Sequence, residues 1–356
     1  MKVALDATPL SVPTGGVARY TAELARSLAT NFPADEFWLL SDQKYTHPAP
    51  ELANLKCGAG PATVLERRWW LWGLQGAIAR YGIAVFHGTD FSVPYLPLRP
   101  SVMTLHDLSP WLDPAWHADA GRVRRRTPLL LRLGRATMIV TPSEAVRKAA
   151  MERFGIRGDR IAAIPHAAAA HFRPIEKNPS APPYILYVGT LEPRKNLDVL
   201  IDAWREVRKE YTVDLVLAGR RRRDFPEPPA EHGLRLLGAV EEDSLPALYS
   251  NALACAYPSL YEGFGLPVLE AMQCGALVLT SLDPAIGEVA ADGAVRLDAR
   301  DVRAWAEALR QPLANPDWAS SMRAKAVARA TLFSWDRTAS QTREIYAEAE
   351  RRFHRR

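Results

Sequence analysis

The sequence predicts an α/β protein built from two doubly wound parallel sheets. Apolar strand segments alternate with helical periodicity along almost the whole chain. The 356 residues are too many for one core of typical size. A polar, proline-rich stretch then interrupts the pattern midway. With 48% apolar and 24% charged residues, long disordered halves are excluded. No run of 18 apolar residues offers a spanning helix. The opening Met1-Lys2-Val3-Ala4-Leu5-Asp6 enters a strand without a signal-peptide core, so a cytoplasmic protein is expected. Cys57, Cys255 and Cys274 show no metal-ligand spacing and read as reduced thiols. The net charge of +5 permits an acidic partner without calling for nucleic acid.

In the first half, strands are expected at residues 2–6, 37–40, 84–87, 102–106, 138–141 and 161–165, each a short apolar run of the kind a buried parallel sheet requires. Amphipathic helices are expected at 17–30 and 142–154. The stretch from His171 through Asn178, Pro179, Ser180 and Ala181 to Pro183 has no periodicity and forms the expected linker. Strands resume at 184–189, 214–219, 234–237, 253–257 and 276–281. The expected division is therefore 1–174, 175–333 and a terminal segment 334–356, a long helix with Ser334 as N-cap. Two such sheets facing each other place a ligand cleft outside the carboxyl ends of their strands. Neither half carries a complete Gly-x-Gly-x-x-Gly, which counts against a dinucleotide-dependent dehydrogenase.

The segment after the strand at 253–257 reads Pro258-Ser259-Leu260-Tyr261-Glu262-Gly263-Phe264-Gly265-Leu266-Pro267-Val268-Leu269-Glu270. A glycine turn opens a helix expected at 266–273, with Pro267 in the first turn, where a missing N–H costs nothing. Unpaired N–H groups and the positive dipole end suit an anion. Glu262 and Glu270 stand about 12 Å apart at a rise of 1.5 Å per residue. That spacing suits a ligand with hydroxyls at both ends and phosphate between, as in a nucleotide-sugar. Two glutamates flanking an ordinary surface loop would show the same spacing. In Gly189-Thr190-Leu191-Glu192-Pro193-Arg194-Lys195-Asn196, two cations precede a helix whose expected N-cap is Asn196. Cations there oppose the macrodipole, so helix stability does not explain them, whereas a diphosphate would. Gly15 and Gly16 link the first strand to the first helix and read either as a close backbone approach to a ligand or as a plain turn. His87, His106 and His166 all end strands, where structural and cleft-lining roles are both open.

Taken together these strings resemble the retaining glycosyltransferases of the GT-B fold, in the large family 4 group that includes many bacterial mannosyltransferases. Glu262 to Glu270 resembles that family's Glu-x7-Glu signature, and Thr104-Leu105-His106-Asp107-Leu108 its His-Asp-Leu segment. The resemblance spans essentially the whole chain and is most specific over 184–281. It implies two Rossmann-like domains facing across a cleft, the first binding the acceptor and receiving the terminal helix. It implies transfer of a sugar, mannose from GDP-mannose first and UDP- or dTDP-linked sugars next. The acceptor implied is a hydroxyl of a glycan or lipid-linked saccharide, in cell-surface polysaccharide or lipopolysaccharide biosynthesis. His106, Lys195 and Glu262 are the implied catalytic residues, with His106 and Glu262 on the sugar. The diphosphate falls to Arg194, Lys195 and the backbone of Gly263, Phe264, Gly265 and Leu266, with Gly15 and Gly16 facing it or the acceptor. Glu270 is implied to hold the ribose, and the loop containing Val240 the base. No enzymic nucleophile, cofactor or metal is implied; a donor phosphate oxygen would help deprotonate the acceptor. The chain departs from the pattern at Thr190, where many relatives carry arginine. A non-catalytic nucleotide-sugar binder in a polysaccharide-assembly complex is therefore the alternative.

Two segments bear on partners. Glu66-Arg67-Arg68-Trp69-Trp70-Leu71-Trp72 joins three tryptophans to arginines, and residues 122–133 join arginines to leucines. Each reads either as a peripheral contact with an anionic membrane, at the inner face of the cytoplasmic membrane, or as a core-packed helix with a solvated basic face.

Overall fold

A computed structural model describes residues 1–12, 15–117, 120–176 and 182–355. Pro13 and Thr14 of the glycine turn, and 177–181 of the expected linker, lie outside the described residues. Among the described residues thirteen strands form: β1 (Lys2–Asp6), β2 (Glu36–Leu40), β3 (Leu55–Cys57), β4 (Val85–Gly88), β5 (Ser101–Thr104), β6 (Met138–Thr141), β7 (Ile161–Ala163), β8 (Tyr184–Val188), β9 (Asp214–Ala218), β10 (Leu234–Gly238), β11 (Ala254–Tyr257), β12 (Val278–Ser281) and β13 (Val295–Leu297). They pair in parallel throughout, in the orders β3-β2-β1-β4-β5-β6-β7 and β10-β9-β8-β11-β12-β13. Each order runs down and then reverses, at β1/β4 and at β8/β11, which is the doubly wound topology with its switch point.

The chain forms two compact units. One comprises Met1–Leu112, His117–His166 and Ser334–Arg356, the other Asp113–Trp116 and Ala167–Phe333. The boundary at His166/Ala167 precedes the proline-rich stretch, because Ala168, Ala169 and Phe172 are already buried in the second core. Gln273 holds them there, its Nε2 donating to the carbonyls of Ala169 (3.1 Å) and Phe172 (2.7 Å). The expected strands form in register with their apolar runs, and β3 and β13 are additional. Both additions are three-residue outer strands, too short to show periodicity.

In the second unit the sheet packs under helices Leu197–Arg208 and Val302–Ala314. Their apolar faces bury Trp204 and Trp305, whose indole N–H groups donate to Val213 and Asp298 carbonyls, each at 2.9 Å. In the first unit the terminal helix Trp335–His354 starts where Ser334 Oγ accepts the N–H of Arg337 at 3.2 Å. It lies against helix Gly16–Asn31, where Asp336 accepts from Asn31 at 2.8 Å. Its Tyr346 hydroxyl meets His87 Nδ1 at 2.7 Å, while His87 Nε2 meets Thr104 Oγ1 at 2.7 Å. Burial brings the His87 imidazole down to about 3, so it is neutral and both its nitrogens are satisfied within the core. Among the described residues no helix is long and apolar enough to cross a membrane.

Tyr346→Phe should therefore lower stability by about 1–3 kcal/mol, the cost of leaving a buried imidazole nitrogen unsatisfied. Urea unfolding at pH 7 measures it, and an unchanged midpoint would show that the hydroxyl contributes nothing.

Candidate active site

The site stands at the second switch point, on the loops that follow β8, β9 and β11. A Cβ on Gly219 would lie 1.9 Å from the Gly189 carbonyl oxygen, so only glycine lets the ends of β8 and β9 approach this closely. Beyond them the two chains run on side by side. Leu191 N–H donates to Arg220 O at 2.9 Å, and Arg222 N–H to Leu191 O at 3.1 Å. A short 3₁₀ turn, Pro193–Lys195, follows, and the Arg194 carbonyl accepts the N–H of Leu260 at 2.8 Å. The loop after β8 is thereby tied to the loop after β11.

Glu262 sits at that junction. Its side chain is 13% exposed, with Lys195 Nζ 2.5 Å from Oε1 and Arg194 Nη1 2.8 Å from Oε2. Arg194 Nη1 also donates to the Tyr261 carbonyl at 3.0 Å, and its Nε stands 2.7 Å from Glu192 Oε1. The Glu262 N–H donates to Asp283 Oδ2 at 3.1 Å, while Asp283 Oδ1 caps helix Pro284–Ala290 through Ile286 N–H at 2.9 Å. Burial pushes the Glu262 carboxyl up, but Lys195 and Arg194 outweigh it and hold it at about 2. Asp283 moves the other way: burial is the largest effect, Glu262 adds to it, and its carboxyl is raised to about 6. At neutral pH Glu262 is a fixed anion. A carboxylate has about four acceptor sites, more than the two cations use, so it can also take sugar hydroxyls.

Helix Leu266–Gln273 begins after Gly265, whose φ of +98° lies in the left-handed region open to glycine. Gly263, Phe264, Gly265 and Leu266 are buried, and the Phe264 ring packs edge-on against Phe333 at 6.0 Å. Glu270 lies on the buried face of the helix, 0% exposed, with its Oε2 accepting the Tyr249 hydroxyl at 3.0 Å. Asn196 does not cap its helix. It adopts φ 57° with no capping bond, and its side-chain amide donates instead to Pro258 O (3.0 Å) and Ala299 O (2.6 Å). Val240 is half-buried in the loop after β10.

The remaining candidates belong to the first unit. His106 follows β5, half-buried, with Nε2 2.7 Å from the Thr89 carbonyl and its ring edge-on to Tyr20 at 4.9 Å. A carbonyl only accepts, so Nε2 carries the proton. Asp107 does not orient this ring; its Oδ1 takes the N–H (2.8 Å) and hydroxyl (2.7 Å) of Ser109 and caps the turn. His87 and His166 are core residues, His166 packed between Tyr20 and Trp335. Gly15, at φ +135°, is the N-cap of helix Gly16–Asn31, with none of the described residues within 4 Å of where a Cβ would stand. Sequence reasoning passed over Glu192 and Arg222, both of which join the charged cluster. The one visible signal was the run Arg220-Arg221-Arg222-Arg223 at a strand end.

Because the Glu262 carboxyl is lowered on folding, its contribution is complete above the ordinary value of 4.5 and is lost as pH falls from there towards about 2. Glu262→Gln should cost about 3 kcal/mol at pH 7 by leaving buried cations uncompensated. The gap to wild type should narrow between pH 4.5 and the lowest pH at which both stay folded, as read by urea midpoints. A gap independent of pH would refute the ion-pair account.

Comparison with known proteins identifies the family and the fold. Residues 14–172 match the model for Glycosyltransferase Family 4, and residues 170–331 that for Glycosyl transferases group 1. O-antigen chain mannosyltransferase B of Escherichia coli is 31% identical, over 97% of this chain and 99% of that one. Among solved structures, sucrose-phosphate synthase from Thermosynechococcus elongatus superposes with a TM-score of 0.75 at 20% identity, covering 98% of each chain. HepE from Anabaena, solved with UDP and glucose, does so at 0.72 and 17%, over 97% of this chain and 99% of that one. With two parallel sheets in the GT-B pattern and a matching relative along nearly its whole length, the chain belongs to the group 1, family 4 glycosyltransferases.

Proposed function

We propose that the protein transfers mannose from GDP-mannose, with retention, to a hydroxyl of a lipid-linked saccharide during assembly of a cell-surface polysaccharide. The buried Lys195–Glu262–Arg194 cluster at the switch point carries this reading. The Escherichia coli relative's name supplies the sugar. Glu262 accepts hydroxyls of the donor sugar, and His106 positions the sugar as well. Lys195 and Arg194, with the backbone of residues 263–266, hold the diphosphate. The bond from the anomeric carbon to the diphosphate oxygen breaks, and its electron pair leaves on the phosphate. The acceptor oxygen bonds to the same face, and its proton passes to a phosphate oxygen. The two cations stabilise the charge that grows on the leaving group, the role a divalent metal plays elsewhere, so transfer should persist in EDTA.

The acceptor is read from the first unit. There Arg126 lies 5.6 Å from the Trp70 ring, so the two basic apolar segments are neighbours. Trp69 is buried, whereas Trp72 (46%), Leu129 (55%) and Leu133 (52%) are exposed. Helix Gly121–Arg132 lines a cavity of about 510 Å3 with Arg122, Arg125, Arg126 and Leu129, and Tyr95 and Arg135 line it as well. Arginines and leucines together in one cavity suit a phosphate head with an apolar tail, which supports a position at the inner face of the cytoplasmic membrane.

A panel of GDP-, UDP-, dTDP- and ADP-sugars, with and without EDTA, tests the donor by melting shift and slow hydrolysis. Stabilisation and metal-free hydrolysis with GDP-mannose support the reading, and the same response to another donor alone would replace it. Lys195→Ala and Glu262→Ala, checked for folding by circular dichroism, should lower turnover about 100-fold or more; wild-type turnover in either would refute their roles. Glu270→Gln should weaken nucleotide binding if a ribose displaces Tyr249 from it. Lowered melting with unchanged affinity would make Glu270 an internal partner of Tyr249. Arg122→Glu with Arg125→Glu should abolish binding to vesicles containing phosphatidylglycerol, and retained binding would remove the lipid reading.

A further inference from the structure

Glu192 and Arg222 lie outside every role assigned above, yet they are built into the cluster. Glu192 is 6% exposed. Its Oε1 stands 2.7 Å from Arg194 Nε and its Oε2 3.2 Å from Arg222 Nη1. Arg222 in turn grips Asp224 with two nitrogens, Nε at 2.5 Å and Nη2 at 3.0 Å. It also donates to the carbonyl of Trp116, and to that of Ala115 at 3.3 Å. The Trp116 ring stacks on Tyr261, the residue before Glu262, at 6.0 Å and 21°. The charges alternate from Lys195 through Glu262, Arg194, Glu192 and Arg222 to Asp224, three of each sign.

Such a chain is not needed to bury Glu262, which Lys195 and Arg194 already neutralise. What it adds is direction. Arg194 sits on a single 3₁₀ turn, and Glu262 and the Tyr261 carbonyl hold its guanidinium at Nη1, one corner of the group. The Glu192 carboxylate, 2.7 Å from Nε on the edge away from Glu262, draws that edge of the guanidinium towards itself by charge. Glu192 is itself fixed because Arg222 is held by a carboxylate and two carbonyls. The close approach of Gly189 and Gly219 brings the two loops near enough for this pairing. The residue directly after Gly189 is Thr190, so the second cation of the site is Arg194, reached from farther along the loop.

We propose that Glu192 and Arg222 are positioning residues that set the Arg194 guanidinium for the donor diphosphate. The proposal rests on the transferase reading above. Charge alone makes the opposite prediction: removing the Glu192 carboxylate leaves the site more positive, which should tighten binding of an anionic diphosphate. Positioning requires that the transition state lose stabilisation while ground-state binding does not improve.

The test compares wild type, Glu192→Gln, Glu192→Asp, Arg222→Ala and the Glu192→Gln/Arg222→Ala double variant. For each, kcat for GDP-mannose transfer, Kd for GDP by calorimetry and the melting temperature are measured. Glu192→Gln should lower kcat about tenfold or more, a smaller loss than removing a direct transition-state donor, with Kd for GDP not decreased. Glu192→Asp keeps the charge with a shorter reach and covers the case in which the glutamine variant does not fold; it should lose kcat at a near wild-type melting temperature. The double variant should be no slower than Glu192→Gln alone, since Arg222 acts through Glu192. The proposal is overturned if kcat of both Glu192 variants stays within twofold of wild type, or if Glu192→Gln binds GDP more tightly at unchanged kcat. Losses that add in the double variant remove Arg222 from it. Absence of transfer and of GDP binding in wild type would instead refute the transferase reading, a different result from any of these.

Discussion

The carboxylate of Glu262 between Lys195 and Arg194 is the interaction on which the second unit's functional edge depends. A carboxylate taken out of water without partners costs several kcal/mol, and so does each cation. Here each is tolerable because the others are present. The backbone around it makes use of the same junction. Arg194 receives the loop after β11 through Leu260, and the Glu262 N–H reaches Asp283, which starts the next helix. Three loops at the switch point are thus held in place by one charged group and its immediate neighbours.

On the proposed function, this arrangement also explains how cations can wait for an anionic ligand. Left without Glu262 and 11–14% exposed, Lys195 and Arg194 would repel each other on their shared turn, and the loop after β8 would lose its charged link to the loop after β11. Paired with Glu262, they keep their positions, and the phosphate of the proposed donor would share them instead of having to assemble them. Glu262 stays ionised throughout, because the same two cations keep its carboxyl near 2. It therefore remains an acceptor for hydroxyl groups across the physiological range.

The parts of this structure that follow local rules were legible in the sequence. The apolar runs of β1 and β6 and the helix at Leu266–Gln273 begin and end where their patterns do, and Ser334 caps its helix as its residue type suggests. Short outer strands β3 and β13 were not, since three residues carry no period. Asn196 misled because the residue type that caps helices is also the one that most readily takes φ > 0, and its amide was needed elsewhere. The Glu192–Arg222 pair was invisible for a different reason. It joins residues 30 positions apart through the approach of two glycines, and a run of arginines beside a strand does not say which of them turns inward.

Glu270 illustrates the limit of spacing as an argument about chemistry. Eight positions along the chain from Glu262 fix its place on the helix, but helical phase decides which way it faces. In this structure that phase turns it inward, onto Tyr249, whose hydroxyl is itself kept protonated by burial, the largest effect, with neighbouring Tyr257 and Glu270 adding to it. The two glutamates of the same signature are therefore physically unlike. One is a carboxylate clamped by cations at the loop edge, ready to accept from a sugar. The other is an acceptor that already takes a neutral donor in the core, so a ligand hydroxyl that reaches it either joins Tyr249 on the carboxylate or replaces a hydroxyl of the same kind. Such an exchange is close to neutral in hydrogen bonding. Its equilibrium would then be set by the apolar packing disturbed when Tyr249 moves, not by the strength of the carboxylate.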